Sequence, residues 1–156
     1  MLRAARYVYA ALAWAFVAGV LVQVFFIGLG LFVSRDNLQL HVNFGWILHL
    51  SPILILLAAP LARAGRRRIL LSAALAVLVW IVPILAAVRA DLPYVAAFHP
   101  VGALLAFWLA IVVARGATSL VGADDAAPSP TWGEWLLVAV VVIVLLGLSF
   151  SGGPSA

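Results

Sequence analysis

Apolar residues fill this chain in five long runs separated by short polar breaks. Each run is close to the roughly 20 apolar residues that cross a bilayer as a helix, so run length carries more information than periodicity. The first run, about Tyr7 to Val33, follows Arg3 and Arg6. It exceeds the roughly 7–15 apolar residues of a signal peptide and has no suitable small-x-small cleavage site, which predicts a retained helix. Ala11, Ala15, Gly19 and Gln23 recur every fourth residue, a stripe that predicts close helix approach and turns Gln23 inward.

Ser34-Arg35-Asp36-Asn37 predicts a turn in which Asp36 or Asn37 caps the next helix. The second run, about Leu38 to Ala62, contains Pro52 and Pro60; Pro52 deprives the Leu48 carbonyl of its helical donor and predicts a kink beside His49. The third run spans about Ile69 to Ala90 and the fourth about Tyr94 to Ala114. A polar stretch from 116 to 133 reads as a linker. Thr131-Trp132-Gly133-Glu134 has capping-box spacing and starts a fifth run, about Glu134 to Phe150, near the lower length limit for a span.

Composition places the chain in a class. It is 67% apolar and 9% charged, where soluble domains average about 45–50% and 25%. The expected fold is an all-α integral membrane protein: an up-and-down four-helix transmembrane bundle over 1–115, a polar cytoplasmic linker over 116–133, and a fifth transmembrane helix with a short outer tail over 134–156. All nine basic residues are arginines, and they flank apolar runs instead of clustering with aromatics on a solvated face, which argues against a nucleic-acid partner. Seven of them (Arg3, Arg6, Arg63, Arg66, Arg67, Arg68 and Arg115) fall on one side, against Arg35 and Arg89 on the other. The positive-inside rule then puts the N-terminus in the cytoplasm and the C-terminus outside. The absence of cysteine excludes disulfides, thiolate metal sites and thiol catalysis.

Candidate chemistry lies in the polar exceptions to the apolar runs. His41-Val-Asn-Phe-Gly-Trp-Ile-Leu-His49 places two imidazoles in the second run, and His99 opens the fourth. Imidazoles are costly against hydrocarbon, so all three are expected to face helices or a cavity. Counted at about 1.5 Å per residue from the outer turns, His41 and His99 share a shallow level, with Gln23 and His49 together beneath. Gln23 and His49 are therefore expected to hydrogen-bond. His41 and His99 would lie on diagonal helices about 11–14 Å apart, a span suited to two imidazoles ligating one haem iron. His49 and Gln23 would lie beneath the macrocycle, and Gly45 and Gly102 would leave room for it. His41 and His49 point about 80° apart around a helix, which disfavours a three-histidine zinc site. Hydrogen-bonded structural histidines are the competing reading.

No Ser-His-Asp arrangement, phosphate-binding loop or pair of intramembrane carboxylates is present, so hydrolysis and carboxylate-driven proton pumping lack their parts. Trp46, Trp80 and Trp108 read as packing residues, and Trp132 and Trp135 as an interfacial belt.

The run Val22-Gln-Val-Phe-Phe-Ile-Gly-Leu-Gly30, His41 with Gly45, and Phe98-His-Pro-Val101 resemble an uncharacterised bacterial family of small four-helix membrane proteins over about Arg3 to Arg115. The resemblance implies architecture and no activity. The linker and fifth helix depart from it, and an added plain apolar helix suggests docking to a larger membrane complex through 134–150.

Three functions follow as expectations. The first is binding of haem b between His41 and His99 for electron transfer with a quinone or other redox partner. The second is a cofactor-free accessory or scaffold subunit, and the third a small proton-coupled transporter working at the level of His49 and Gln23. Enzymatic activity other than redox is not expected.

Overall fold

The computed structural model describes residues 1–123 and 128–151, which are helical with connecting turns. Part of the expected linker and nearly all of the outer tail lie outside the described residues. Seven α-helices follow one another: α1 Leu2–Phe32, α2 Leu38–Leu48, α3 Ser51–Leu61, α4 Arg66–Ala87, α5 Pro93–Ala96, α6 His99–Val121 and α7 Trp132–Ser151, with a 3₁₀ turn at Arg35–Asn37 between α1 and α2. Five helical segments are long and apolar enough to cross a membrane: α1, α2 with α3, α4, α5 with α6, and α7. Phe25, Leu31, Ile47, Leu104, Trp108 and Ile143 are among many large apolar side chains left exposed. That exterior suits a lipid environment and would be a liability in water.

Contacts between segments run in chain order and close on themselves. α1 packs on α2, α3 and α6, α4 packs on α3 and α6, and α7 lies against α3 and α4. Two regions of different density result. Toward the Arg66–Arg68 end, Tyr9, Ile55, Leu56, Ile69 and Leu75 are fully buried and small residues (Ala59, Ala76, Ala114, Ala117) bring the backbones close. Toward the opposite end α2 has no buried residue and packs chiefly on α1, leaving space beside α4 and α6.

The second run is two helices instead of one. α2 ends at Leu48, His49 and Leu50 form a turn, and α3 starts at Ser51. Pro52 is the cause: it cannot donate to Leu48, and the Ser51 hydroxyl donates to the Leu48 carbonyl instead, at 2.6 Å. The fourth run is broken near its start, where α5 gives way to α6. α6 then continues to Val121, so residues 116–121 are helical instead of belonging to a linker.

Two local expectations are corrected. The packing face of α1 is Tyr9, Ala10, Ala13, Phe16, Val17 and Gly19, while Ala11 and Ala15 are exposed. A fourfold spacing drifts around a helix of 3.6 residues per turn, so only the end of that stripe faces inward. At the α1–α2 connection, Ser34 is the capping residue, its hydroxyl accepting from the Asp36 amide at 3.3 Å. The Asn37 side chain donates back to the Leu29 carbonyl at 3.5 Å instead. The capping box before α7 forms as expected: the Glu134 carboxylate accepts from the Thr131 amide at 2.7 Å, and Thr131 Oγ1 accepts from the Glu134 amide at 3.3 Å.

Candidate functional site

The looser end of the molecule encloses a cavity of about 310 Å³. Its wall is mostly apolar, including Phe16, Val20, Val79 and Ala106, and its polar lining residues are Gln23, His41, His49, Arg89 and His99. The three histidines arrive there for different local reasons. His41 lies in the first turn of α2, His49 occupies the proline-induced turn, and His99 is the first residue of α6.

His41 and His99 face each other edge to face, with ring centres 6.3 Å apart and planes at 81°. Each is held by a carbonyl of a different helix. Nδ1 of His41 donates to the Gln23 carbonyl of α1 at 3.3 Å, and Nδ1 of His99 donates to the Val82 carbonyl of α4 at 2.8 Å. A carbonyl can only accept, so the neutral rings carry their hydrogen on Nδ1 and present a lone pair at Nε2. Neither Nε2 has a hydrogen-bond partner among the described residues.

His49 is packed differently. It is buried between Trp46 and Trp80, with ring centres 5.3 and 4.7 Å away. Its Nδ1 donates to the Trp46 carbonyl at 3.3 Å, and its Nε2 is buried without a partner. The expected Gln23–His49 hydrogen bond is not made: Gln23 Oε1 is also buried and unpartnered. The register explains this. Gln23 and Gly45 lie equally far on either side of Ser34, where the chain reverses, so the 3₁₀ turn at Arg35–Asn37 already belongs to the second segment and Gly45, not His49, comes opposite Gln23. A Cβ at Gly45 would lie 2.7 Å from Gln23 Nε2.

The structure therefore brings together His41, His99, Gln23 and Gly45, with His49 in a tryptophan-lined recess of the same cavity. Gly102 has another role, since a Cβ there would meet Val82 Cγ2 at 3.1 Å. It lets α6 approach α4. Among the described residues no three His, Cys, Asp or Glu side chains converge as a metal-binding group. Sequence reasoning gave no site role to Arg89, the sole lining residue with a full charge. In the sequence it is a topology signal, and nothing in a helix-flanking arginine marks it as facing a cavity.

Residues 23–89 match a family of unknown function, DUF6220. The DUF6220 match starts at Gln23 and ends at Arg89, and it holds His41, Gly45 and His49 but stops short of His99. No curated protein and no solved structure matches the chain.

Proposed function

We propose that the first four apolar segments form an up-and-down bundle in a bacterial inner membrane, N-terminus in the cytoplasm, and hold haem b between His41 and His99. The observation that carries this reading is the separation of the two rings. With metal–nitrogen bonds of about 2 Å and ring nitrogens about 1.1 Å from the ring centre, two trans imidazoles on one metal have centres about 6 Å apart. The 6.3 Å between His41 and His99 is close to that spacing, and one ring of the edge-to-face pair would have to turn for both Nε2 atoms to reach one metal. Their Nδ1–carbonyl bonds are the outer contacts that orient metal-ligating histidines and leave Nε2 for the metal. The donor set would be that of a low-spin b-type centre, and the mostly apolar wall suits a macrocycle, for which the cavity of about 310 Å³ would have to widen. Bound haem would supply reversible one-electron transfer, with a membrane quinone or another redox protein as partner.

The same two hydrogen bonds favour a second reading. Each joins a different pair of helices, α2 to α1 and α6 to α4, as expected of structural histidines in a cofactor-free accessory subunit.

An oxidised-minus-reduced visible spectrum, taken on the full chain purified in mild detergent from a haem-sufficient host, separates the two. Haem binding gives a Soret band that sharpens on reduction in the wild type and is lost in His41→Ala and in His99→Ala. His49→Ala retains it. A colourless wild type with intact helical circular dichroism overturns the haem reading and favours the accessory subunit.

A further inference from the structure

The cavity has a polarity along its length that the haem reading does not by itself require. Val79 and Ala106 line its inner end, toward the densely packed core. Arg89 lines its other end, just beyond the last turn of α4. The His99 anchor on α4 is Val82. Arg89 follows it by seven residues, five of them helical to Ala87, which puts it up to about 10 Å away. That offset is comparable to the reach of a propionate from the centre of a porphyrin. The guanidinium has little else to hold it. Its hydrogen bond, Nη1 to the Ala86 carbonyl, is long at 3.4 Å, and no carboxylate pairs with it among the described residues.

We infer that Arg89 is an anion anchor: the cavity takes an amphipathic ligand edge-on, with its carboxylates outward against Arg89 and its apolar edge inward against Val79 and Ala106. The inference rests on the haem reading and adds to it an orientation and a recognition residue. A planar guanidinium can hold a carboxylate through two parallel N–H donors, which a lysine ammonium cannot do. Gln23 and His49, set deeper, carry no charge that would compete for the carboxylates when neutral. Bound this way, the macrocycle has one orientation, because the reversed pose would bury both carboxylates in an apolar end.

The test is titration of the haem-free full chain in detergent with haem b and with its dimethyl ester, in which both carboxylates are blocked. The wild type is expected to bind the free acid at least about fivefold more tightly than the ester, consistent with a partly exposed ion pair of about 1 kcal/mol. Arg89→Gln should bind both forms equally, at the affinity of the ester. Arg89→Lys should recover part of the preference, and circular dichroism of both variants should match the wild type. Equal binding of acid and ester by the wild type overturns the anchor and leaves the haem site standing. A preference that survives in Arg89→Gln also overturns it. Failure of the wild type to bind either form overturns the anchor together with the haem reading.

Discussion

His41 and His99 meet edge to face, with ring centres 6.3 Å apart, although α2 and α6 make few other contacts. The meeting is arranged from outside the pair. α1 holds His41 through the Gln23 carbonyl, and α4 holds His99 through the Val82 carbonyl. The two rings are thus fixed by separate helices, each independently of the other.

The first prediction concerns that orientation. In the protein alone, at a pH where the imidazoles are neutral, His41 and His99 should both be Nδ1–H tautomers, because only a donor satisfies a carbonyl. Nitrogen-15 chemical shifts of selectively labelled histidine resolve the two ring nitrogens. Finding the hydrogen on Nε2 of either ring would mean that its carbonyl bond is not formed and that the lone pair points the wrong way for a metal.

A second prediction concerns the kink that opens the cavity. A Cβ at Gly19 would overlap the Leu48 side chain, immediately before the His49–Leu50 turn. Gly19→Ala should therefore push the Leu48 methyl end aside, a modest cost that the gain of about 0.5–1 kcal/mol in helix propensity largely offsets, so thermal stability in detergent should change by less than about 1 kcal/mol. Combining it with Leu48→Ala should cost less than the sum of the two single changes, since the truncated side chain no longer meets the new methyl. Strict additivity would show that α1 and α2 do not meet there.

The extent to which the sequence could be read follows the range of each interaction. Run length and flanking arginines located five long apolar segments because those signals are local and large. The Thr131–Glu134 capping box and the kink at Pro52 were legible because each is decided within four residues. The pairing of His41 with His99 could be anticipated from depth, since both lie close below the loops at the same end of the molecule: His41 in the first turn of α2 and His99 at the start of α6. What failed was register. Counting depth from Arg35 and Asp36 sets the reversal too late, because Gln23 and Gly45 are equidistant from Ser34, and so points to His49 where Gly45 stands. The end of α6 was misplaced because Gly116, Thr118 and Ser119 look like loop residues. Their neighbours Ala117 and Leu120 are buried, and Thr118 and Ser119 return their hydroxyls to carbonyls of their own helix at Ala114 and Gly116. Tertiary packing overrode weak local propensity there.

The third prediction pairs two substitutions of opposite sign in the turn between α3 and α4. The Arg63 amide donates to the Pro60 carbonyl and the Ala64 amide to the Ala59 carbonyl, the bond pattern that closes a helix on a left-handed residue. That residue is Arg63, at φ 51°, where a side chain is unfavourable. Arg63→Gly should raise stability by about 1 kcal/mol. Gly65, at φ 76° and ψ 156°, occupies a region essentially reserved for glycine. Gly65→Ala should lower stability by about 1–3 kcal/mol. Chemical or thermal unfolding of the two variants side by side checks the sign; a matching sign would mean that the turn has a different backbone.

The last prediction addresses the dense end, where polar groups are welded without a cavity. Tyr9 and Ser72 are both fully buried, and their hydroxyls lie 2.9 Å apart, a single bond joining α1 to α4 through the core. Interhelical bonds of this kind are worth about 0.6 kcal/mol on average and up to about 1.7 in membrane proteins. Tyr9→Phe keeps the ring and its packing but leaves the Ser72 hydroxyl to find another acceptor, and Ser72→Ala strands the Tyr9 hydroxyl in an apolar surround. A stranded buried hydroxyl costs about 1–3 kcal/mol, so Ser72→Ala should be the more damaging of the two, because the serine can turn back onto its own helix and the phenol cannot. The double variant removes both hydroxyls and should be less destabilised than the sum of the single changes, with a coupling of about 1 kcal/mol. Unfolding of the four proteins in one detergent gives that number directly, and a coupling near zero would show that α1 and α4 are held together there by packing alone.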